Sequence, residues 1–189
     1  GDDSRAAGAL TASARALVEL GDLPLAQRRL ERALESRRRA GDRLGLAETL
    51  DALAELARVQ GDFAVVRRLA GQQLRIGRET GATAVTARAL RHLGAAALDA
   101  GDLAGARRDL TAALEAVSGE SQELEALEVR LDLARVVLAE GNAEEAARTA
   151  REAAAWYGEK GVPGGQVKAL SLLADALAAA GTGGRGEAP

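Results

Sequence analysis

One histidine, His92, and three acidic residues at helical spacing, Glu48, Asp51 and Glu55, are the side chains best placed to do proton chemistry. Any Ser-His-Asp arrangement must pass through His92, the single histidine of the chain. It stands beside Arg91, whose charge disfavours an imidazolium, and reads as a groove-lining or partly buried imidazole. Carboxylates at i, i+3 and i+7 share one helix face, and a solvated face does not drive their pKa values apart as acid–base catalysis requires. One His and scattered carboxylates are too few ligands for a catalytic zinc, and the absence of Cys removes thiolate sites, disulfides and thiol nucleophiles. Gly181-Thr182-Gly183-Gly184-Arg185-Gly186 spells G-x-G-x-x-G. A dinucleotide fingerprint follows a strand and opens a helix, whereas here a helix precedes and three residues remain. We expect no catalysis, no cofactor and no metal.

Two further clusters invite a binding role. Arg28, Arg29, Arg32, Arg37, Arg38, Arg39 and Arg43 form a basic stretch broken only by Glu31, Glu35 and Asp42, with no aromatic residue to stack on bases. Its default is a solvated face with i,i+4 pairs such as Glu35–Arg39; an anionic partner domain is the other use, and nucleic acid is not expected. Trp156 and Tyr157 are, with Phe63, the only aromatics. They act either as a bulky plug between two helices or, if exposed, as an anchor for a partner.

The elements that carry these side chains follow from composition and period. Of 189 residues, 47% are hydrophobic, yet 45 are Ala and 29 Leu, against 2% aromatic. That excludes a β-sandwich or barrel and suits closely packed helices. Net charge is −3, without the positive field of a general nucleic-acid binder. No apolar run exceeds five residues, so no membrane span is expected. The chain lacks Met and starts at Gly1, which reads as a processed or excised piece. Arg outnumbers Lys 23 to 2, a usage that points to a GC-rich bacterial genome.

Glycine recurs at 21, 41, 61, 81, 101, 141, 161 and 181, with Ser121 breaking the series, and five of these glycines precede Asp or Asn. The intervening segments carry amphipathic stripes such as Leu46, Leu50, Leu53, Ala54 and Ala57. Gly supplies a left-handed C′ residue and Asp or Asn caps the next helix, giving a chain of helical hairpins. Within the 40-residue class, small residues stand seven before the turn glycine (Ala14, Ala54, Gly94, Ala134, Ala174), most preceded by Leu. Ala26, Val66, Ala106 and Ala146 stand five after.

This ladder resembles the tetratricopeptide repeat, with the Leu-small pair and the second-helix Ala retained, the Trp and Tyr positions replaced by Leu, Ala or Val, and no closing Pro. Forty-residue versions are familiar in helical sensor regions of bacterial transcription regulators and signalling kinases and in kinesin-light-chain-like adaptors. A HEAT-type array is the structural rival at this period. The resemblance implies an all-α, right-handed α-solenoid of about four and a half repeats and nine helices. Repeats fall at 4–40, 43–80, 83–118 and 121–160, with an extra helix at 166–180 inside a domain of residues 1–180, and a mobile tail at 181–189.

In such a repeat the first helix of each pair lines the concave side. The offsets then place Glu48, Asp51 and Glu55 beside Arg88, Arg91 and His92, followed by Glu128, Asp132 and Arg135, and by Lys168 in the extra helix. An acidic face next to a basic one selects a peptide of alternating charge, or else the helices neutralise each other through pairs such as Glu55–Arg91 and Arg88–Glu128. Two functions remain: a cytoplasmic protein- or peptide-binding module of a larger bacterial signalling or regulatory protein, or a small-molecule-sensing arm that gates an output domain. The helix at 166–180 is apolar around much of its circumference where repeat arrays normally end in a polar face. Either a further helix covers it or it self-associates with a second chain.

Overall fold

The computed structural model describes residues 2–117 and 122–183. Nine helices run in order within them: α1 (Asp2–Glu19), α2 (Leu23–Ala40), α3 (Arg43–Val59), α4 (Phe63–Thr80), α5 (Thr83–Asp99), α6 (Leu103–Ala116), α7 (Glu123–Ala139), α8 (Ala143–Glu159) and α9 (Pro163–Gly183). No strand occurs among the described residues. Each helix packs on its successor, and α1, α3, α5, α7 and α9 also pack on one another in sequence, which makes an α-solenoid.

The turns are built as their residues dictate. Gly21, Gly41, Gly61, Gly81, Gly101, Gly141 and Gly161 all hold φ between 67° and 93°. Nothing lies within 4 Å of a Cβ at these positions, so conformation rather than space requires glycine. The next residue's N–H closes the turn on a carbonyl five back, as in Asp22 to Leu17 (2.9 Å) and Asn142 to Val137 (3.0 Å). Asp22, Asp42, Asp62, Asp102 and Asn142 then cap the N–H three residues on, at 2.9–3.3 Å. Where Ser121 replaces glycine, α6 stops at Ala116, and α7 starts after Gln122 without a side-chain cap.

The last helix departs from expectation at both ends. It begins at Pro163 rather than near 166, because Pro fits the first helical turn, and it runs through Gly181 to Gly183. Gly181 is therefore helical and not a turn glycine; residues 184–189, most of the expected mobile tail, lie outside the described residues, as does part of the G-x-G-x-x-G run.

The core is a string of clusters along the array. The second-helix positions Ala26, Val66, Ala106 and Ala146 are all fully buried, as are Ala33, Gln73, Ala113 and Ala153. Small residues there let paired helices approach closely. At Gly94 even a methyl is too much: a Cβ would lie 2.5 Å from Leu110 Cγ across the α5–α6 contact. Among these eight positions Gln73 alone is polar, and it marks the start of the polar site.

Candidate functional site

A cavity of about 550 Å³ opens on the side lined by the odd-numbered helices. Glu55 and Arg58 come from α3, and Arg91, His92, Ala95, Leu98 and Asp99 from α5. Glu128, Leu131, Asp132, Arg135 and Leu138 come from α7, and Lys168, Leu172 and Asp175 from α9. Tyr157 is the single contribution of an even-numbered helix, reaching in from α8. The order reflects turn offsets, since residues 13, 10, 9, 6 and 3 before a turn glycine share one helix face.

Most of the charges already have partners. Arg58 holds Glu55 through two bonds, Nη2 to Oε1 at 2.7 Å and Nε to Oε2 at 3.1 Å. Burial pushes the Glu55 carboxyl up, but the Arg58 guanidinium outweighs it and holds the group below its ordinary value. Arg91 donates to Glu128 and stands 4.0 Å from Asp132, which also faces Arg135 at 3.5 Å. Burial works against the Arg91 charge, yet Glu128 and Asp132 raise its pKa. Burial, with Glu128 nearby, pushes the Tyr157 phenol up to about 12, so its hydroxyl stays protonated at neutral pH. Its ring lies under α9 because residue 165 is glycine; a Cβ there would sit 2.3 Å from the Tyr157 ring. Trp156 meets that ring edge-on at 5.4 Å, so the aromatic pair is a plug between α8 and α9.

Beneath the N-terminal end of the cavity lies a buried polar knot. His92 Nε2 is 3.0 Å from Asp51 Oδ1, which also accepts from Gln73 Nε2 at 3.2 Å, while Arg15 Nη2 donates to Asp51 Oδ2 at 2.7 Å. Asp51, Gln73 and His92 are buried. Burial alone raises the Asp51 pKa, but His92 and Arg15 together hold it far below the carboxylate range. A carboxylate fixed this way by α1, α4 and α5 is a structural tie and offers no proton for catalysis.

Seven of the ten expected residues therefore line one cavity: Glu55, Arg91, His92, Glu128, Asp132, Arg135 and Lys168. Three do not. Asp51 is buried under His92. Glu48 is exposed and accepts from Arg37, a buried guanidinium of the basic stretch that Gly45 makes room for. Arg88 lies in a separate small cleft with Glu125 and Glu128. The expected cross-repeat pairs shift as well: Glu55 is taken by Arg58 one turn along its own helix, leaving Arg91 to reach Glu128. Arg58, Leu98 and Leu138 were missed, although all three stand three residues before a turn glycine on the lining face. Asp99 and Tyr157 carry no such periodic signal.

The arrangement can pair with charges, accept apolar groups on Leu98, Leu131, Leu138 and Leu172, and donate one phenolic hydrogen bond. The lining contains no Ser, Thr or Cys nucleophile. No group of three or more His, Cys, Asp or Glu able to hold a metal occurs among the described residues.

No family model and no curated protein matches the chain. Solved structures do. A Podosopora anserina putative kinesin light chain with nearly identical TPR-like repeats superposes with TM-score 0.65 at 20% identity, covering 95% of this chain and 89% of that one. A form of the same protein carrying one substitution gives TM-score 0.67 at 19% identity, covering 96% and 89%. The chain thus has the fold of a TPR-like helical-repeat solenoid.

Proposed function

We propose that the chain is a non-catalytic protein-interaction module that takes a peptide segment of a partner protein in the concave cavity. The observation that carries this reading is the cavity lining itself: charges of both signs on α3, α5, α7 and α9, together with Leu131, Leu172 and Tyr157. Such a surface favours an extended or helical segment with charges of both signs and one or two apolar anchors, and its electrostatics set specificity more than affinity. A bacterial signalling or regulatory setting belongs to the same reading, supported by the Arg-for-Lys usage and the repeat resemblance. So does a cytoplasmic place; no helix among the described residues is long and apolar enough to cross a membrane.

Selection of a random displayed peptide library against the chain tests this. We expect enriched peptides of mixed charge whose affinity falls at least about tenfold, ~1.4 kcal/mol, on Arg135→Glu. No enrichment, or binding indifferent to that change, defeats the reading. A second reading has one observation behind it: the cavity's volume lies within the ~300–1,000 Å³ of small-molecule sites. A metabolite that raises Tm saturably, and competes with the selected peptides, would favour an effector-sensing arm instead.

A further inference from the structure

Eight exposed guanidiniums on the outer side of the array have no hydrogen bond or ion pair among the described residues. The outer row is α2, α4, α6 and α8, each packed on the odd-numbered helices before and after it. On α2 the exposed arginines are Arg28, Arg32, Arg38 and Arg39. On α4 they are Arg67, Arg68, Arg75 and Arg78. At 3.6 residues per turn each set falls within an arc of ~120°, opposite the buried stripe of its helix (Ala26, Leu30 and Ala33, or Val66, Ala70 and Gln73). Arg28 and Arg38 recur as Arg68 and Arg78, so the two arcs hold the same place in successive repeats.

The row is graded in charge. α2 holds six Arg against two Glu and α4 four against one, whereas α6 balances two against two acids and α8 sets two against four. Position 28 is Arg in every repeat, but Arg108 donates to Asp109, and Arg148 stands four residues from both Glu144 and Glu152. The fold does not call for the excess on α2 and α4. Only Arg38, Arg39 and Arg78 stand in last turns, where a cation complements the helix dipole. Glu31 and Glu35 offset only half of the exposed charge on α2, and the expected pair Glu35–Arg39 does not form. On α4 no acid precedes Glu79, which accepts from Arg43 of α3. Arg75 and Arg78 are left facing each other at i, i+3, an unfavourable pairing of like charges.

We propose that the outward face of α2 and α4 docks an acidic segment of a partner protein, at a site separate from the cavity. Guanidinium forks match carboxylates through paired hydrogen bonds, and every cation on the two arcs is Arg. An extended segment of about eight residues, at ~3.3 Å each, spans the ~27 Å of an 18-residue helix. Other polyanions fit less well. Neither arc carries an aromatic residue, so a single nucleic-acid strand finds no stacking platform. Neither helix exposes a large apolar side chain to enter a lipid surface. A duplex or a membrane also runs on along the row to α8, where the excess of Glu repels phosphate. A short acidic segment meets the two basic helices alone.

Fluorescence polarisation with a labelled peptide of about ten residues, alternating Glu and Ser, tests the proposal. The peptide binds the chain at ~10 mM salt and loses affinity as salt rises. Arg28→Glu combined with Arg68→Glu weakens it at least about tenfold, while Arg148→Glu on α8 and Arg135→Glu in the cavity leave it unchanged. Urea unfolding of the double variant matches the wild type, because neither arginine holds a contact in the fold. No binding at low salt, or binding indifferent to the double substitution, overturns the surface. Loss on Arg135→Glu places the peptide in the cavity and overturns it as well. Duplex DNA or phosphatidylglycerol vesicles that bind more tightly through Arg28 and Arg68 overturn an acidic protein segment as the occupant. None of these outcomes decides whether the cavity takes a peptide of mixed charge.

Discussion

The two ends of the concave face use the same kind of residue for opposite purposes. Between α1 and α5 a carboxylate has been drawn inside: Asp51 is buried and receives bonds from Arg15, Gln73 and His92. Between α5 and α9 the carboxylates stay in an open cavity, where Asp132 faces Arg135 and Arg91 loosely at 3.5 and 4.0 Å. Asp51 stands ten residues before its turn glycine and Asp132 nine before its own, neighbouring offsets on the lining side of their helices. The packing around them decides the role. A buried charge that loses a partner is costly, whereas a wet ion pair contributes little and is available to a ligand.

The largest expected effect tests the buried end. Asp51→Ala leaves His92, Gln73 and Arg15 without their common acceptor, and we expect a loss of ~3 kcal/mol in urea unfolding, the cost of breaking a buried ion pair. The pH dependence carries the same signature. The folded Asp51 pKa is depressed, so its contribution is complete above its unfolded value near ~3.9 and is lost as pH falls through the folded value. Asp51→Asn therefore flattens the decline of stability below about pH 4. An unchanged acid profile would mean that Asp51 is no more than a wet surface carboxylate.

A middle-sized effect tests the apolar support of the open end. Gly165→Ala puts a Cβ 2.3 Å from the Tyr157 ring, which is hemmed in by Ala169 and Leu172. Overpacking of this kind costs ~1–3 kcal/mol, offset in part by the better helix propensity of Ala. The near-ultraviolet dichroism of the edge-on Trp156–Tyr157 pair should change with it. Stability and dichroism both unchanged would show that the ring is not seated against α9.

These contrasts also mark how far the sequence could be read. The turns were legible because one backbone conformation demands Gly and one cap demands Asp or Asn, and both recur with the period. The lining face was legible for the same reason, since offsets from the turn choose a helix face. Offsets could not separate Asp51, buried at −10, from Arg91, which lines the cavity at −10, because that depends on how closely neighbouring helices approach. Gln73 occupies the repeat position of Ala33, Ala113 and Ala153, but its amide reaches an acceptor on another helix. Tyr157 enters from α8 because Gly165 lets α9 lie close over it, a contact that no turn offset marks.

The smallest effect is the sharpest test of the comparison, because it asks for near-silence where Asp51 speaks loudly. Asp132→Ala removes a carboxylate from the cavity wall, but Arg91 keeps Glu128 and Arg135 is 46% exposed to water. No buried group is orphaned, so the expected change in urea unfolding is below ~1 kcal/mol. What should change is selectivity. Without Asp132 the middle of the cavity gains positive character from Arg91 and Arg135, and a peptide selected on the wild type for mixed charge should lose affinity to a more acidic one. A loss of stability comparable to that of Asp51→Ala would mean that both ends of the concave face are tied structure, and that the open cavity contributes to the fold rather than to a partner.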